Sequence, residues 1–399
     1  MSLGTATAAE IGVLAASSYY RPLPTSGNPH RGDEAHAGAP VTILRDMGIV
    51  KDLLKPLAED GESLTREQSA DVLREILAGT VPDVETAAFL AVLATRGELA
   101  PELAGFVEVM RANSVPVPLT DAEREELVDT CGTGGGGPLT FNISSGAALV
   151  AAAAGAKVAK HGNRAVTSRC GSADVLEALG IPITLGPDLA AECLRETGFV
   201  FLFAPHYHPA MQAVRELRRA LGFRTIFNLA GPISNPAGAR NQVIGVLAPS
   251  RVLLMGRTLV ALGARHAFVV HGSDGIDELT TTGESVVARI FEEEPSKTLT
   301  MKAARITPEM AGLPLAKLEE FTGGDVDTNA SLLYDVITGL PGARRDIVLL
   351  NAAAALVAAG LAGDLKEGVA LGAEAIDSGQ AAATLAKLRN FGERHGTAQ

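Results

Sequence analysis

The stretch Asp129 to Ser145, DTCGTGGGGPLTFNISS, carries residue types suited to gripping an anion. Gly132, Gly134, Gly135, Gly136 and Gly137 stand between an apolar and acidic lead-in and a helix-forming run, Gly146 to Ala154. Glycine lets the backbone take positive φ and approach a ligand closely. Where such a loop opens onto a helix N-terminus, free N–H groups and the helix dipole both favour negative charge. Thr133, Thr140, Ser144 and Ser145 add hydroxyl donors. The pattern predicts a phosphate or pyrophosphate cradle. A flexible surface loop is the plainer alternative, and the polar run downstream at Lys160 weighs against it.

Two further stretches carry chemistry. Lys160 to Arg169, KHGNRAVTSR, concentrates cations (Lys160, Arg164, Arg169) with His161 and Asn163. This polar run suits a multiply charged anion, the competing reading being a solvated basic turn. His271 to Gly283 holds adjacent acids, Asp277 and Glu278. Such a pair suits Mg²⁺, which takes one or two carboxylates together with substrate phosphate oxygens; a solvated acidic loop is the alternative. His266 and His271 flank a strand and read as structural. A predicted helix, Ala210 to Leu221, carries Arg215, Arg218 and Arg219. A guanidinium facing a crevice would bind a carboxylate in bidentate fashion, but spacing does not select among the three.

The elements that must position these residues emerge from periodicity. Glu126 to Thr130 reads as a short strand before the glycine loop. The helix at 146–154 is nearly all Ala, Leu and Val and so is buried on every side. Ala156 to Ala159 is the next strand. Strand, glycine loop, helix and strand form a βαβ unit, for which a right-handed crossover in a parallel sheet is the rule. Ligands in such sheets bind beyond the strand C-termini, so the glycine loop and the Lys160 stretch face one crevice. Phe199 to Ala204, Val243 to Leu247 and Ala267 to Val270 are further strands. Val287 to about Gly324 shows no clear period. Helices are predicted over 172–179, from Gly186 to Glu196, and at 346–359, 365–377 and 379–389.

Upstream, about Ile43 to Asn113 is helical, with Thr65 as an N-cap and Gly79 as a stop. The expected organisation is an unstructured extension over 1–42, a small helical domain over 43–118 with part of about 210–235 packed on it, and a large α/β domain over 119–399. The fold class is therefore α/β with a small all-helical domain and a mostly parallel central sheet.

Totals exclude other classes. The 399 residues carry a net charge of −12, which opposes nucleic-acid or anionic-membrane binding. No apolar run reaches the ~18–20 residues of a membrane span. The first basic residue is Arg21, so a secretory signal is not expected. Cys131, Cys170 and Cys193 form no CxxC pair, which fits a reducing, cytoplasmic setting and small buried residues rather than a nucleophile.

DTCGTGGGGPLTFNISS, KHGNRAVTSRCGSADVLEALG, FAPHYHPAM, LGFRTIFNLAGPISNP and HGSDGIDELTTTG, in this order and spacing, resemble the anthranilate phosphoribosyltransferases over about Leu53 to Phe391. The resemblance implies transfer of a 5-phosphoribosyl group from phosphoribosyl diphosphate to anthranilate, with the active site in the hinge crevice between the two domains and a homodimer formed through the helical domain. It implies a phosphoribosyl diphosphate site of Gly132, Thr133, Gly135, Gly136, Thr140, Asn142, Ser144, Ser145, Lys160, His161, Gly162, Asn163, Arg164, Ser168 and Ser172. Lys160, Asn163 and Arg164 would stabilise the transition state, with no covalent nucleophile or general base. Gly132, Asn163, Arg218, His161 and His208 would meet anthranilate, and this selects Arg218 among the three arginines. Tyr207 and Met211 would tune which aromatic amine is accepted. Ser144 would join one Mg²⁺, and Asp277 with Glu278 a second. The family's loop is GTGGDG; here Gly136 stands at the Asp position, which implies an altered magnesium response. The rival readings are a phosphoribosyltransferase for another aromatic amine, a nucleoside phosphorylase, and a nucleic-acid-binding relative of the same fold; pocket positions such as Tyr207 and Met211 would decide the first, the KHGNR stretch and the acidic pair oppose the second, and the net charge and the acidic pair oppose the third.

Overall fold

The protein is described by a computed structural model covering residues 48–134, 139–165, 169–293 and 296–396. Four helices open it: α1 (Ile49–Glu59), α2 (Arg66–Ala78), α3 (Asp83–Arg96) and α4 (Ala100–Ala112). Thr65 caps α2 through a reciprocal box with Gln68, and Gly79 ends it in the left-handed conformation. Short α5 (Asp121–Glu126) leads into strand β1 (Leu127–Thr130). The βαβ unit continues through α6 (Ile143–Ala153) to β2 (Lys157–Gly162). Helices α7 (Ser172–Ala178) and α8 (Pro187–Thr197) precede β3 (Phe199–Phe203).

Then come α9 (Ala204–Tyr207), a 3-10 segment (Pro209–Val214), α10 (Arg215–Leu221) and α11 (Ile226–Ala230). The helix expected over 210–221 is thus split, with its first half wound as 3-10. Strand β4 (Asn241–Gly245), helix α12 (Pro249–Ala261) and β5 (His266–Gly272) come next. The stretch without a clear period is a hairpin, β6 (Ser285–Glu293) and β7 (Thr298–Ile306), paired antiparallel over nine residues. Four helices close the chain: α13 (Val326–Ile337), α14 (Ala343–Ala358), α15 (Leu365–Asp377) and α16 (Gln380–Arg394).

The sheet has seven strands in the order β3-β2-β1-β4-β5-β6-β7. The first five run parallel, and β5, β6 and β7 pair antiparallel. Crossovers leave β1 in one direction toward β2 and return to its other side at β4. That divergence opens a crevice at the C-terminal ends of β1 and β4.

Two apolar clusters hold the fold. One packs α6, α14 and α16 against β1, β2 and β3. In the other, Leu73, Phe89 and Phe106 of the helical unit join Val214, Ile226 and Phe227 and continue into β4, β5 and α12. Residues 214–233 are thereby rooted in the helical unit's core. Phe106 and Phe227 meet edge to face at 5.4 Å, and Arg111 of α4 donates twice to the Ile233 carbonyl. This is the segment that carries Arg218.

Candidate active site

The glycine loop leaves β1 at the crevice and is stitched to β4 and to the acidic loop. Thr133 N–H donates to the Gly245 carbonyl at 2.8 Å, and Gly134 N–H donates to Asp277 Oδ2 at 3.2 Å. Gly134 has φ +59°, a conformation that favours glycine. At Gly245 the reason for glycine is contact: a Cβ there would lie 1.7 Å from the Asp277 carbonyl oxygen. The end of β4 therefore sets how deeply Asp277 sits.

Side-chain hydrogen bonds, to other side chains and to the backbone, fix the loop carrying Asp277 and Glu278. Asp274 Oδ2 accepts from the Thr280 and Thr282 hydroxyls at 2.6 and 2.7 Å. Asn351, buried on α14, accepts from Leu279 N–H at 3.0 Å and donates to the Leu279 carbonyl at 2.8 Å. The residue next to Glu278 is thus held on both backbone faces. His271 is structural, its Nδ1 lying 2.8 Å from the Val246 carbonyl. Burial pushes the Glu278 carboxyl up from the ordinary range, and the charge of Asp277 adds to this. The charge of Lys160 and hydrogen bonding from Ser144 oppose it. Burial also raises Asp277. Two adjacent buried acids, with the charge of Asp277 adding to the burial that raises Glu278, make a site that calls for a cation.

The sequence reading puts Lys160 and His161 beyond a strand that stops at Ala159. They lie instead within β2, and both are buried. Lys160 Nζ donates to the Thr130 carbonyl and to Thr130 Oγ1, and lies 3.5 Å from Ser144 Oγ. Behind it is Asp129, fully buried, its Oδ1 accepting from His161 N–H at 3.1 Å and its Oδ2 from Asn235 at 2.8 Å. Burial raises Asp129 to about 6 against the charge of Lys160. Lys160 is thus an internal counter-charge placed between Asp129 and Glu278. Residue types alone do not single out Asp129, Thr130, Asn235 and Asn351 as site-building residues.

On the other wall, the His161 and His208 rings stand 5.1 Å apart. Both rings are buried, and among the described residues neither His161 nitrogen nor His208 Nε2 has a hydrogen-bond partner. Burial lowers both, His161 to about 3, so both rings are neutral at physiological pH. Of the three arginines, Arg215 and Arg219 are exposed, Arg219 pairing with Glu216. Arg218 is half-buried, its guanidinium 5.1 Å from the Phe227 ring centre, and desolvation lowers its pKa. Tyr207 does not line this wall: it is buried in the first apolar cluster with its hydroxyl donating to the Leu185 carbonyl at 2.9 Å. Its size is used in the α/β core, so the expected role in acceptor choice fails. Met211 packs against the other cluster.

Asn142 precedes α6 and is held by Asn329, and Thr140 makes an isolated bridge to Thr322. Ser145 is buried, and among the described residues its hydroxyl has no hydrogen-bond partner. Gly162 ends β2 where a Cβ would meet Ser172 Oγ at 2.5 Å. Ser172 donates to the Asn163 carbonyl, and Asn163 is exposed beyond β2. Arg164 is engaged with Asp174 and Glu177 at 3.0 and 2.7 Å. Gly135, Gly136 and Ser168 lie outside the described residues, as does the 1–42 extension. Burial holds the Cys131 thiol far above its usual range and pushes Cys193 up to about 12, so neither is an activated nucleophile.

Residues 51–114 match the helical bundle domain and residues 124–382 the a/b domain of a glycosyl transferase family. An anthranilate phosphoribosyltransferase of Anaeromyxobacter sp. (strain Fw109-5) is 50% identical over 329 residues, 82% of this chain and 95% of that protein. One from Moorella thermoacetica is 47% identical over 325 residues, covering 82% and 93%. The crystal structure of the Thermus thermophilus enzyme superposes with a TM-score of 0.78 at 42% identity, covering 86% of this chain and 99% of that one. The chain belongs to the anthranilate phosphoribosyltransferase family.

Proposed function

We propose that the crevice bounded by the glycine loop, β2 and the Asp277–Glu278 loop is where the protein carries out its reaction. The enzyme transfers the 5-phosphoribosyl group of phosphoribosyl diphosphate to the amino group of anthranilate and releases pyrophosphate. The observation that carries the assignment is the buried acidic pair meeting the glycine loop at the sheet's switch point, with Lys160 beside it. A Saccharomyces cerevisiae relative, 25% identical with a TM-score of 0.76, was solved with phosphoribosyl diphosphate and Mg.

The donors at the acidic end are all oxygens: the Asp277 and Glu278 carboxylates and the Ser144 hydroxyl, a set that suits a hard cation. We assign Ser144 to one Mg²⁺ and the two acids to a second; bound there, Mg²⁺ supplies charge neutralisation for the departing diphosphate. The amine nitrogen forms a bond to C1 as the C1–O bond breaks, and the electron pair leaves with the diphosphate. The amine proton is lost to solvent or the leaving group. An aromatic amine is already neutral, so no strong base is required, and the neutral His161 and His208 are consistent with that. The loop N–H groups and Lys160 oppose the charge that accumulates on the diphosphate.

Arg218 pairs with the anthranilate carboxylate. Arg218→Ala should raise the KM for anthranilate about tenfold or more, as expected for loss of a charge-assisted hydrogen bond, with the KM for phosphoribosyl diphosphate unchanged. Equal rises in both would refute the assignment. Exposed Val84 and Leu99 on the helical unit suit a homodimer contact there; a single-chain mass by light scattering would overturn that. No helix among the described residues is long and apolar enough to cross a membrane. The activity itself is tested by following anthranilate fluorescence with phosphoribosyl diphosphate and Mg²⁺. Consumption of anthranilate is the expected result, and a stable signal at saturating substrates overturns it.

A further inference from the structure

Arg224 lies between α10 and α11 and has no acidic partner within ion-pair distance among the described residues. Its backbone is rooted in the helical unit. Thr225, Ile226 and Phe227 beside it are buried, Thr225 N–H is held by Asn228, and Phe227 packs on Phe106. Its head reaches the other unit, with Nη2 donating to the Gly134 carbonyl at 2.6 Å. The N–H of the same Gly134 donates to Asp277 Oδ2. One glycine, in a left-handed conformation, is thus gripped on one side by a guanidinium from the helical unit and on the other by a carboxylate of the acidic pair.

Arg224 is exposed as a residue, yet enough protein surrounds its guanidinium for desolvation to lower its pKa. Its charge is felt by Asp277, opposing the burial that raises that acid. A lone surface arginine would be free to turn to water. This one spends a donor on a loop carbonyl and places its charge near an acid it does not touch.

We propose that Arg224 is a positioning residue for the diphosphate end of the donor, tying the glycine loop to the helical unit so that Gly134 and Asp277 stay in register for a diphosphate. It acts through Gly134. Arg218 lies six residues earlier on the same rooted segment, so the tie also fixes the distance between the donor cradle and the acceptor arginine. This inference rests on the phosphoribosyl-transfer reading of the crevice, which the parent enzyme's activity tests separately.

The experiment compares Arg224→Gln and Arg224→Lys with the parent enzyme. Arg224→Gln should raise the KM for phosphoribosyl diphosphate about tenfold, with the anthranilate KM within about twofold and the melting temperature unchanged. Arg224→Lys, which keeps the charge and one donor, should recover part of that loss. Calorimetric titration of pyrophosphate with Mg²⁺ provides a readout free of turnover, and its affinity should fall in parallel in Arg224→Gln. An unchanged donor KM and pyrophosphate affinity in Arg224→Gln overturns the inference. So does a uniform loss in both KM values together with a lower melting temperature, which marks a purely structural residue. A lysine variant no better than the glutamine variant overturns the part played by charge. A parent enzyme that leaves anthranilate untouched, yet binds pyrophosphate in an Arg224-dependent way, removes the reaction and leaves the positioning role standing.

Discussion

Lys160→Met should lower kcat/KM by about a hundredfold or more and destabilise the protein by roughly 3–5 kcal/mol, the range seen when one partner of a buried charge pair is removed. Lys160 is only 2% exposed, and its charge acts on both Asp129 and Glu278. Methionine fills similar volume, so the loss is of charge and donors rather than packing. The deficit should depend on pH. Asp129 has a folded pKa of about 6, above its ordinary 3.8. A raised acid contributes stability that is full below the unfolded value and is lost as pH rises through the folded one. Without Lys160 that pKa moves higher, because a stabilising positive charge is gone. The variant's deficit should therefore be smaller near about pH 5 than near about pH 8. Urea unfolding at the two pH values checks this. A deficit independent of pH, or a variant within a few-fold of parent activity, would show that Lys160 is not the internal counter-charge of the site.

Lys160 also illustrates what the sequence does and does not disclose. Glycine loops, adjacent acids and an all-apolar helix leave local signatures, so the β1–α6–β2 unit and the Asp277–Glu278 loop are legible from residue types alone. A lysine is almost never buried without a partner, so KHGNR reads as a turn. Its partner is the carbonyl of Thr130, and a backbone acceptor has no sequence signature. Asn351 is hidden for the same reason: it sits in an alanine-rich helix and clamps Leu279, 72 residues away, by side-chain-to-backbone bonds. Arg224 reaches Gly134 across 90 residues in the same manner. The β6–β7 hairpin escapes because its apolar residues do not alternate cleanly: Val287, Ala288 and Ile290 are buried, so inward positions occur on both faces. Tyr207 fails in the opposite sense. It stands next to His208 in the sequence and so reads as a pocket position, but one residue along a short helix turns a side chain far from its neighbour, and the phenol points into the α/β core.

The acidic pair carries the other large expected effect. Asp277→Asn and Glu278→Gln should each lower activity about a hundredfold or more, since each removes an anionic oxygen from the cation site. The sharper expectation concerns protons. Burial, with Asp277 adding to it, raises the Glu278 carboxyl well above the ordinary carboxylate range. Without metal, Glu278 thus contributes stability below its unfolded value that is lost as pH rises toward the folded one. Metal binding requires the ionised form, so protons and Mg²⁺ compete. The Mg²⁺ concentration for half-maximal rate should fall as pH rises, by up to about tenfold per pH unit, and level off once Glu278 is ionised. Glu278→Gln should flatten that curve and remove the Glu278 share of the loss of metal-free stability with rising pH, leaving the share of Asp129 and Asp277. Asp277→Asn should shift the curve to lower pH, because a like charge no longer opposes ionisation of Glu278. The same titration on Gly136→Asp tests whether the loop's missing acid alters the magnesium response: a curve identical to the parent's would remove that reading. A half-saturating Mg²⁺ concentration that stays constant with pH in the parent enzyme would mean that Glu278 does not hold the metal.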